Sequence, residues 1–273
     1  MEAYEHFGLK ENCFSPSPNP RYLHMTDQTK ACLFKCKYII KQKHGLMAII
    51  GKVGFGKTSV LRCLVNEFMD EPLYKMALLP NGHFATDMQF VKYMCSQLGL
   101  TPKRSLLTQI QEIHEFAQET HEQGGNVVLF IDEAQSLKLA QLDLLRELLN
   151  FETNEAKIIQ IILAGQPEIE AKFESRPALA SRVMLASYLD TFTFEDMESV
   201  LHHRISIAGG KTDILTPQGK QTLYLASRGV PREVIKIANA AMLLAAMGEE
   251  NKISAELVEI AATNMLKKGL GNG

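Results

Sequence analysis

Apolar residues in the first two thirds of this 273-residue chain follow two different periods. Short, nearly unbroken runs, LMAII at 46–50, VVLFI at 127–131 and IIQIILA at 158–164, alternate with longer stretches in which apolar positions recur every three or four residues. Unbroken runs of this length suit strands covered on both faces, as in a parallel sheet flanked by helices. A further strand is predicted at 74–79, closed by the turn residues Pro80-Asn81-Gly82. The helical period predicts helices over 27–44, from a glycine turn to about 69, and over 87–98, 106–123 and 139–151, with Thr26 or Asp27 capping the first and Gly45 ending it. Pro16, Pro18 and Pro20 keep the N-terminal stretch out of regular helix, so it reads as an extended arm. Past Thr191 the alternation stops, and 194–208, 217–227, 232–247 and 254–267 all carry the helical period. The pattern predicts an α/β domain at 1–190, arm included, and a small all-α domain at 191–273.

Composition adds exclusions. With 46% hydrophobic and 22% charged residues, 18 Gly and 10 Pro, the chain is neither fibrous nor wholly disordered. The apolar run at 240–247 is far short of the roughly 20 residues of a membrane helix. The opening MEAYEHFGLK is acidic and polar, unlike a secretory signal. Five cysteines, an odd number at irregular spacing, suit a reducing compartment. The expectation is a cytoplasmic protein without a membrane partner. A net charge of −2 excludes coating nucleic acid by bulk positive charge, yet leaves room for a few cations on one surface. Lys30, Lys35, Lys37, Lys41 and Lys43, and separately Lys103-Arg104, are either ordinary solvated positions or such a surface.

The chemistry concentrates at two places. Residues 51–58, GKVGFGKT, fit G-x-x-x-x-G-K-[ST] between an apolar strand and a helical pattern. Glycines let backbone N–H groups surround phosphates, and the helix N-terminus adds positive potential. The candidate nucleotide set is Gly51, Val53, Gly54, Phe55, Gly56, Lys57, Thr58 and Ser59, with Lys57 reaching the β- and γ-phosphates and Thr58 ligating Mg²⁺. The strand 127–131 then delivers Asp132 and Glu133 at its C-terminal end. Asp132 suits the Mg²⁺ sphere, and Glu133 suits polarising an attacking water. An acidic strand end alone reads as a helix cap; paired with the phosphate turn it indicates an Mg-ATP site.

Two details narrow this reading. Gln166 follows the strand at 158–164, where a γ-phosphate and lytic water would lie, and Arg176, Arg182, Arg204 and Arg232 are candidates for stabilising transition-state charge. Arg176 and Arg204 read as surface residues. Cys32 and Cys36 share a helix face and read as buried small hydrophobes; His202-His203 has no third ligand in sequence. Met242, Leu243 and Ala246 read as core.

Taken together these residues resemble the AAA+ ATPases, in particular the ExeA/GspA-like branch that also contains transposition regulators of the TnsC, MuB and IstB kind. YEHFGLKENCFSPSPNPRYL resembles that branch's N-terminal arm, with Cys13 in place of a usual proline and Asn19 in place of an aspartate. GKVGFGKTSVLRCL resembles the Walker A segment, LFIDEAQSL Walker B, LAGQPEIEAKF sensor 1 and SRGVPREVIKIANAAML the sensor 2 helix. The resemblance implies a parallel-sheet AAA+ P-loop NTPase core with a small all-α lid. It implies ATP and Mg²⁺ as cofactors, Lys57 with Thr58 as the Walker A pair, Asp132 with Glu133 as the Walker B pair, Gln166 as sensor 1, Arg232 as sensor 2, and Arg182 in ALASRV as the arginine offered to a neighbouring subunit.

The resemblance, with a residue acting in trans, implies a homo-oligomer, a ring or helical filament of about six or seven subunits per turn. The secretion-type members carry a membrane span after the lid, and this sequence shows none by Gly273, so the resemblance favours a transposition regulator. Such a regulator would assemble with ATP on double-stranded DNA and serve a transposase and a target-selection protein. The alternative is the soluble ATPase of a secretion or pilus system. DNA contacts are expected from the segments after the second strand: Lys103 and Arg104 on phosphates, with Thr101 or Asn81 donating hydrogen bonds.

Overall fold

The computed structural model describes residues 2–17, 19–153, 156–211 and 214–270, with side chains described through 265; Pro18 of the arm lies outside them. In chain order the elements are α1 (Ala3–His6), α2 (Asp27–Gln42), β1 (Leu46–Ile50), α3 (Lys57–Phe68), β2 (Tyr74–Leu79), α4 (Asp87–Gln97), α5 (Leu106–Glu122), β3 (Asn126–Ile131), α6 (Leu139–Leu148), β4 (Ile159–Gly165), α7 (Glu168–Glu174), α8 (Pro177–Ala180) and β5 (Val183–Tyr188). Four helices follow: α9 (Phe194–Ile207), α10 (Pro217–Ser227), α11 (Pro231–Met247) and α12 (Ala255–Leu270). Contacts group these residues into two compact units, one of 1–27, 54–56 and 190–273, the other of 28–53 and 57–189.

The second unit is built on a five-stranded sheet in the order β2-β3-β4-β1-β5, with every neighbouring pair parallel. The inner strands β1, β3 and β4 are buried at every position, which is why they read as unbroken apolar runs. The edge strand β5 was not anticipated. Met184 and Tyr188 are exposed, and Ala186-Ser187 interrupts its apolar pattern, so its sequence carries neither strand period cleanly. The short helices α7 and α8 were also unanticipated, as was α1, which opens a stretch read as an extended arm; its residues precede the prolines that exclude helix there. Polar groups buried at the N-terminal end of the sheet are satisfied locally: Gln160 Oε1 accepts the Gly45 N–H at 2.7 Å, and Asn126 donates its side-chain amide to the Ile40 carbonyl at 2.6 Å. Cys32 and Cys36 are buried, as their spacing on one helix face suggested.

The first unit is helical, and its core includes the arm. Leu9, Cys13, Phe14 and Tyr22 are buried in one cluster with Met197, Leu201, Leu223, Val234, Ala238 and Ala241. The sequence reading had set the arm within the α/β domain; its contacts place residues 1–27 with the helices of 190–273. The reason is the distribution of large apolar residues among the arm's prolines, which gives an irregular segment a hydrophobic face to bury.

Arg204, expected at the surface, is instead buried in this unit, 9% exposed. Its Nε donates to the Cys13 carbonyl at 2.6 Å, its Nη2 to the Ser15 carbonyl at 2.8 Å, and its guanidinium lies over the Tyr22 ring at 4.7 Å. These contacts replace the water a buried guanidinium loses. Met242 is buried, but Leu243, read as core, is 51% exposed because it falls on the outer face of α11. Among the described residues no helix is long and apolar enough to cross a membrane.

Candidate nucleotide site

Three strand ends deliver the candidate residues. β1 ends at Ile50, and the Gly51 N–H donates to the Gly165 carbonyl at 3.1 Å, joining the start of the glycine loop to the end of β4. Gly54 and Gly56 lie at φ +84° and +92°, a region that disfavours a side chain, and so turn the chain back into α3. Among the described residues their N–H groups donate to no protein acceptor. Lys57, the first residue of α3, is 5% exposed, and its Nζ donates to the carbonyls of Gly51 at 2.7 Å and Lys52 at 3.1 Å. The ammonium is therefore held inside its own loop, at the positive end of a 12-residue helix whose first N–H groups lack intrahelical partners. Phe55, Thr58 and Ser59 are half-buried, and Val53 is exposed.

β3 carries its ladder one residue past its end, the Asp132 N–H donating to the Leu79 carbonyl at 2.9 Å. Asp132 is buried, and its Oδ2 accepts the Thr58 hydroxyl at 2.6 Å while its Oδ1 accepts the Glu133 N–H at 2.9 Å. Glu133 then turns the chain through the left-handed region, φ 51° and ψ 37°. Its Oε2 accepts the side-chain amide of Gln135 at 2.5 Å and that of Gln166, just past β4, at 3.4 Å. Gln135 also accepts the Gln166 backbone N–H on its Oε1, at 2.9 Å. The ammonium of Lys172 on α7 donates to the carbonyls of Gln135 at 2.5 Å and Leu137 at 2.6 Å, pinning the turn that Glu133 opens. Gly82 packs beneath that turn, where a Cβ would lie 2.7 Å from the Glu133 carbonyl oxygen.

The structure thus brings Thr58, Asp132, Glu133 and Gln166 into one hydrogen-bonded group. It adds Gln135, Lys172 and Gly82, which sequence reading missed. The only sequence signal for Gln135 was its place two residues after Glu133; Gly82 had been read only as part of the turn after the second strand, and Lys172 carried no signal.

The arginines and the candidate DNA residues lie outside this network. Arg176 Nε donates to Asp143 Oδ2 at 3.3 Å, so it is tied within its own chain. Arg182 is half-buried at the start of β5, and its charge, after burial, holds the Lys157 ammonium below the usual lysine range. In the first unit, the Arg232 backbone N–H donates to the Gly54 carbonyl at 3.1 Å and its side chain is exposed. Asn81 is exposed, its Oδ1 accepting the His83 N–H at 3.3 Å. Thr101 and Arg104 are exposed in the α4–α5 connection, where Lys103 is paired with Glu112 at 3.2 Å.

The donor set fits a magnesium nucleotide. Left-handed glycines with undirected N–H groups, a buried ammonium and a helix N-terminus suit a polyphosphate. A hydroxyl and a carboxylate in contact are the oxygen donors that a hard divalent cation takes. Among the described residues no group of three or more His, Cys, Asp or Glu is placed to hold a metal, so His202-His203 gains no third ligand.

Comparison with known proteins agrees with this geometry. The family model of the AAA domain matches residues 40–173. The chain is 32% identical over 262 residues to General secretion pathway protein A of Aeromonas hydrophila, covering 94% of this chain and 47% of that protein. It thus spans about half the length of that curated relative. The ORC2 protein of Aeropyrum pernix, solved in ADPNP–ADP complexes, superposes with a TM-score of 0.70 at 17% identity, over 93% of this chain and 71% of its own. Drosophila ORC bound to DNA gives a TM-score of 0.69 at 18% identity, over 97% of this chain and 66% of the other. With its parallel five-stranded sheet, its helical C-terminal part and the match to the AAA domain over residues 40–173, the chain has the AAA+ P-loop ATPase fold.

Proposed function

We propose that this chain binds and hydrolyses Mg-ATP, and that nucleotide binding drives its assembly with further copies of itself on double-stranded DNA. The contact that carries the hydrolytic reading is Thr58 Oγ1 to Asp132 Oδ2, with Glu133 following on the same strand end. In that reading the bound Mg²⁺ neutralises charge developing on the phosphates. Lys57 and the loop N–H groups hold the phosphates, Thr58 and Asp132 hold the cation, Glu133 takes a proton from water and Gln166 orients that water. Arg232 takes the sensor 2 role that the resemblance gives it, and Arg182 serves the site of a neighbouring copy. Support for Arg182 over Arg176 comes from the Asp143 pairing that occupies Arg176.

The DNA reading draws on the resemblance to transposition regulators, on exposed Arg104 and Thr101, and on a fold shared with a DNA-bound ORC. The output we favour is a timed assembly on DNA, in which a transposase and a target-selection protein are the partners and hydrolysis ends the assembly. A second reading has a specific observation behind it. The relative at 32% identity over 94% of this chain is a secretion-pathway protein, which favours an ATPase subunit of a secretion or pilus system.

Phosphate release by wild type against Glu133→Gln tests hydrolysis; equal rates exclude it. Electron microscopy with a slowly hydrolysed ATP analogue, with and without duplex DNA, tests the output. Protein-coated duplex supports the transposition reading. Indifference to DNA, with binding to lipid or secretion components, supports the second.

A further inference from the structure

Glu133 is half-buried with three side-chain torsions to fix, and a general base works only when its carboxylate is held toward the water it deprotonates. Two side-chain amides bind that carboxylate, both at Oε2. The Gln166 contact is long, 3.4 Å, whereas the Gln135 contact is 2.5 Å. Gln135 is itself fixed at three points: its side-chain oxygen takes the Gln166 backbone N–H at 2.9 Å, its side-chain nitrogen goes to Glu133, and its backbone carbonyl takes the Lys172 ammonium. Among the described residues nothing donates to Glu133 Oε1.

We propose that Gln135 is a positioning residue for hydrolysis: it ties one oxygen of Glu133 to the end of β4 and so presents the other, Oε1, to the attacking water. The side chain bridges the two strand ends that carry the chemistry, because its amide donates to Glu133, two residues past β3, and accepts from Gln166, the residue after β4. A displacement of Gln166 is thereby transmitted to the Glu133 carboxylate through one side chain rather than through the sheet. Lys172 makes the bridge stiff by holding the backbone of Gln135 and Leu137 while the side chain spans the gap. The proposal rests on the ATPase reading above.

The test uses the full chain, with ATP and Mg²⁺, with and without duplex DNA. Gln135→Met keeps the volume and removes both side-chain hydrogen bonds. The expected result is a kcat lower by about ten- to a hundredfold, with KM for ATP and the Mg-ADP-induced rise in Tm unchanged. Gln135→Glu keeps the acceptor for the Gln166 N–H but sets a carboxylate against Glu133. Repulsion between the two carboxylates turns Glu133 from its set direction, so kcat falls at least as far as in Gln135→Met, again with KM for ATP unchanged. Wild-type kcat in Gln135→Met, or a loss of kcat accompanied by equal losses of nucleotide binding and Tm, overturns the proposal. A wild type no faster than Glu133→Gln overturns the ATPase reading and this proposal with it, and so is told apart from failure of the proposal alone.

Discussion

The Thr58 hydroxyl donates to Asp132 Oδ2 at 2.6 Å across 74 positions of sequence, joining the first turn of α3 to the end of the buried strand β3. If this pair holds the cation of a bound nucleotide, Thr58→Ala removes one of its two protein oxygens. Ligand at about 100 times its Kd adds about 2.7 kcal/mol to stability, which raises Tm by several degrees. Thermal denaturation with Mg-ADP is expected to show that rise in wild type and to lose most of it in Thr58→Ala, with the nucleotide-free Tm little altered.

Gly82 offers a steric probe of the Glu133 turn. An alanine there would meet the Glu133 carbonyl oxygen at 2.7 Å and the Leu137 nitrogen at 3.1 Å, both backbone atoms that cannot rotate away. Overpacking of this kind costs about 1–3 kcal/mol. Gly82→Ala is expected to lower stability by that order in chemical denaturation, and to slow phosphate release more than it weakens nucleotide binding.

Arg204 locks the arm to its helices. Each hydrogen bond to a charged group contributes about 1.5–3 kcal/mol, and the Tyr22 ring adds to that. Arg204→Met is expected to make residues 2–17 the first site of limited proteolysis, while the sheet unit is cut no faster.

Lys103 and Arg104 make a salt-dependence prediction. Each phosphate contact contributes close to one unit of salt slope. The double substitution to Ala is expected to flatten the slope of DNA affinity against salt by about two units without changing nucleotide affinity. Glu112 competes for Lys103 at 3.2 Å, so Glu112→Gln is expected to tighten DNA binding. An unchanged slope in the double variant removes these residues from the DNA reading.

Thiol chemistry checks the packing independently. Cys13, Cys32, Cys36 and Cys95 are buried, and burial pushes the Cys13 thiol up to about 12 and Cys95 to about 11. Cys63 is half-buried, its thiol raised by burial and then by Glu67. A raised pKa withholds the reactive thiolate of Cys13, Cys95 and Cys63 until higher pH, and Cys32, whose thiol the Cys36 hydrogen bond lowers, is closed to solvent, so native labelling at neutral pH is expected to be slow and to start at Cys63. All five cysteines should react after unfolding.

The candidate nucleotide site was legible in the sequence to an unusual degree because its parts are local. The glycine loop, Lys57 and Thr58 are contiguous, and Asp132 and Glu133 end a strand that announces itself by being apolar at every position. The inner strands were legible for the same reason. β5 was not, since an edge strand half open to solvent needs no continuous apolar run.

By itself the sequence determined the βα alternation, the inner strands, the phosphate loop and the acid pair, all set by residue types a few positions apart. The tertiary structure decided what depends on distant partners. It placed the arm with the helical unit, buried Arg204 beneath it, put Leu243 outside, and joined Gln135, Gln166, Lys172 and Gly82 around Glu133. Those choices turn on which apolar face finds a complementary surface and which polar atom finds a partner once water is excluded, and neither has a period along the chain.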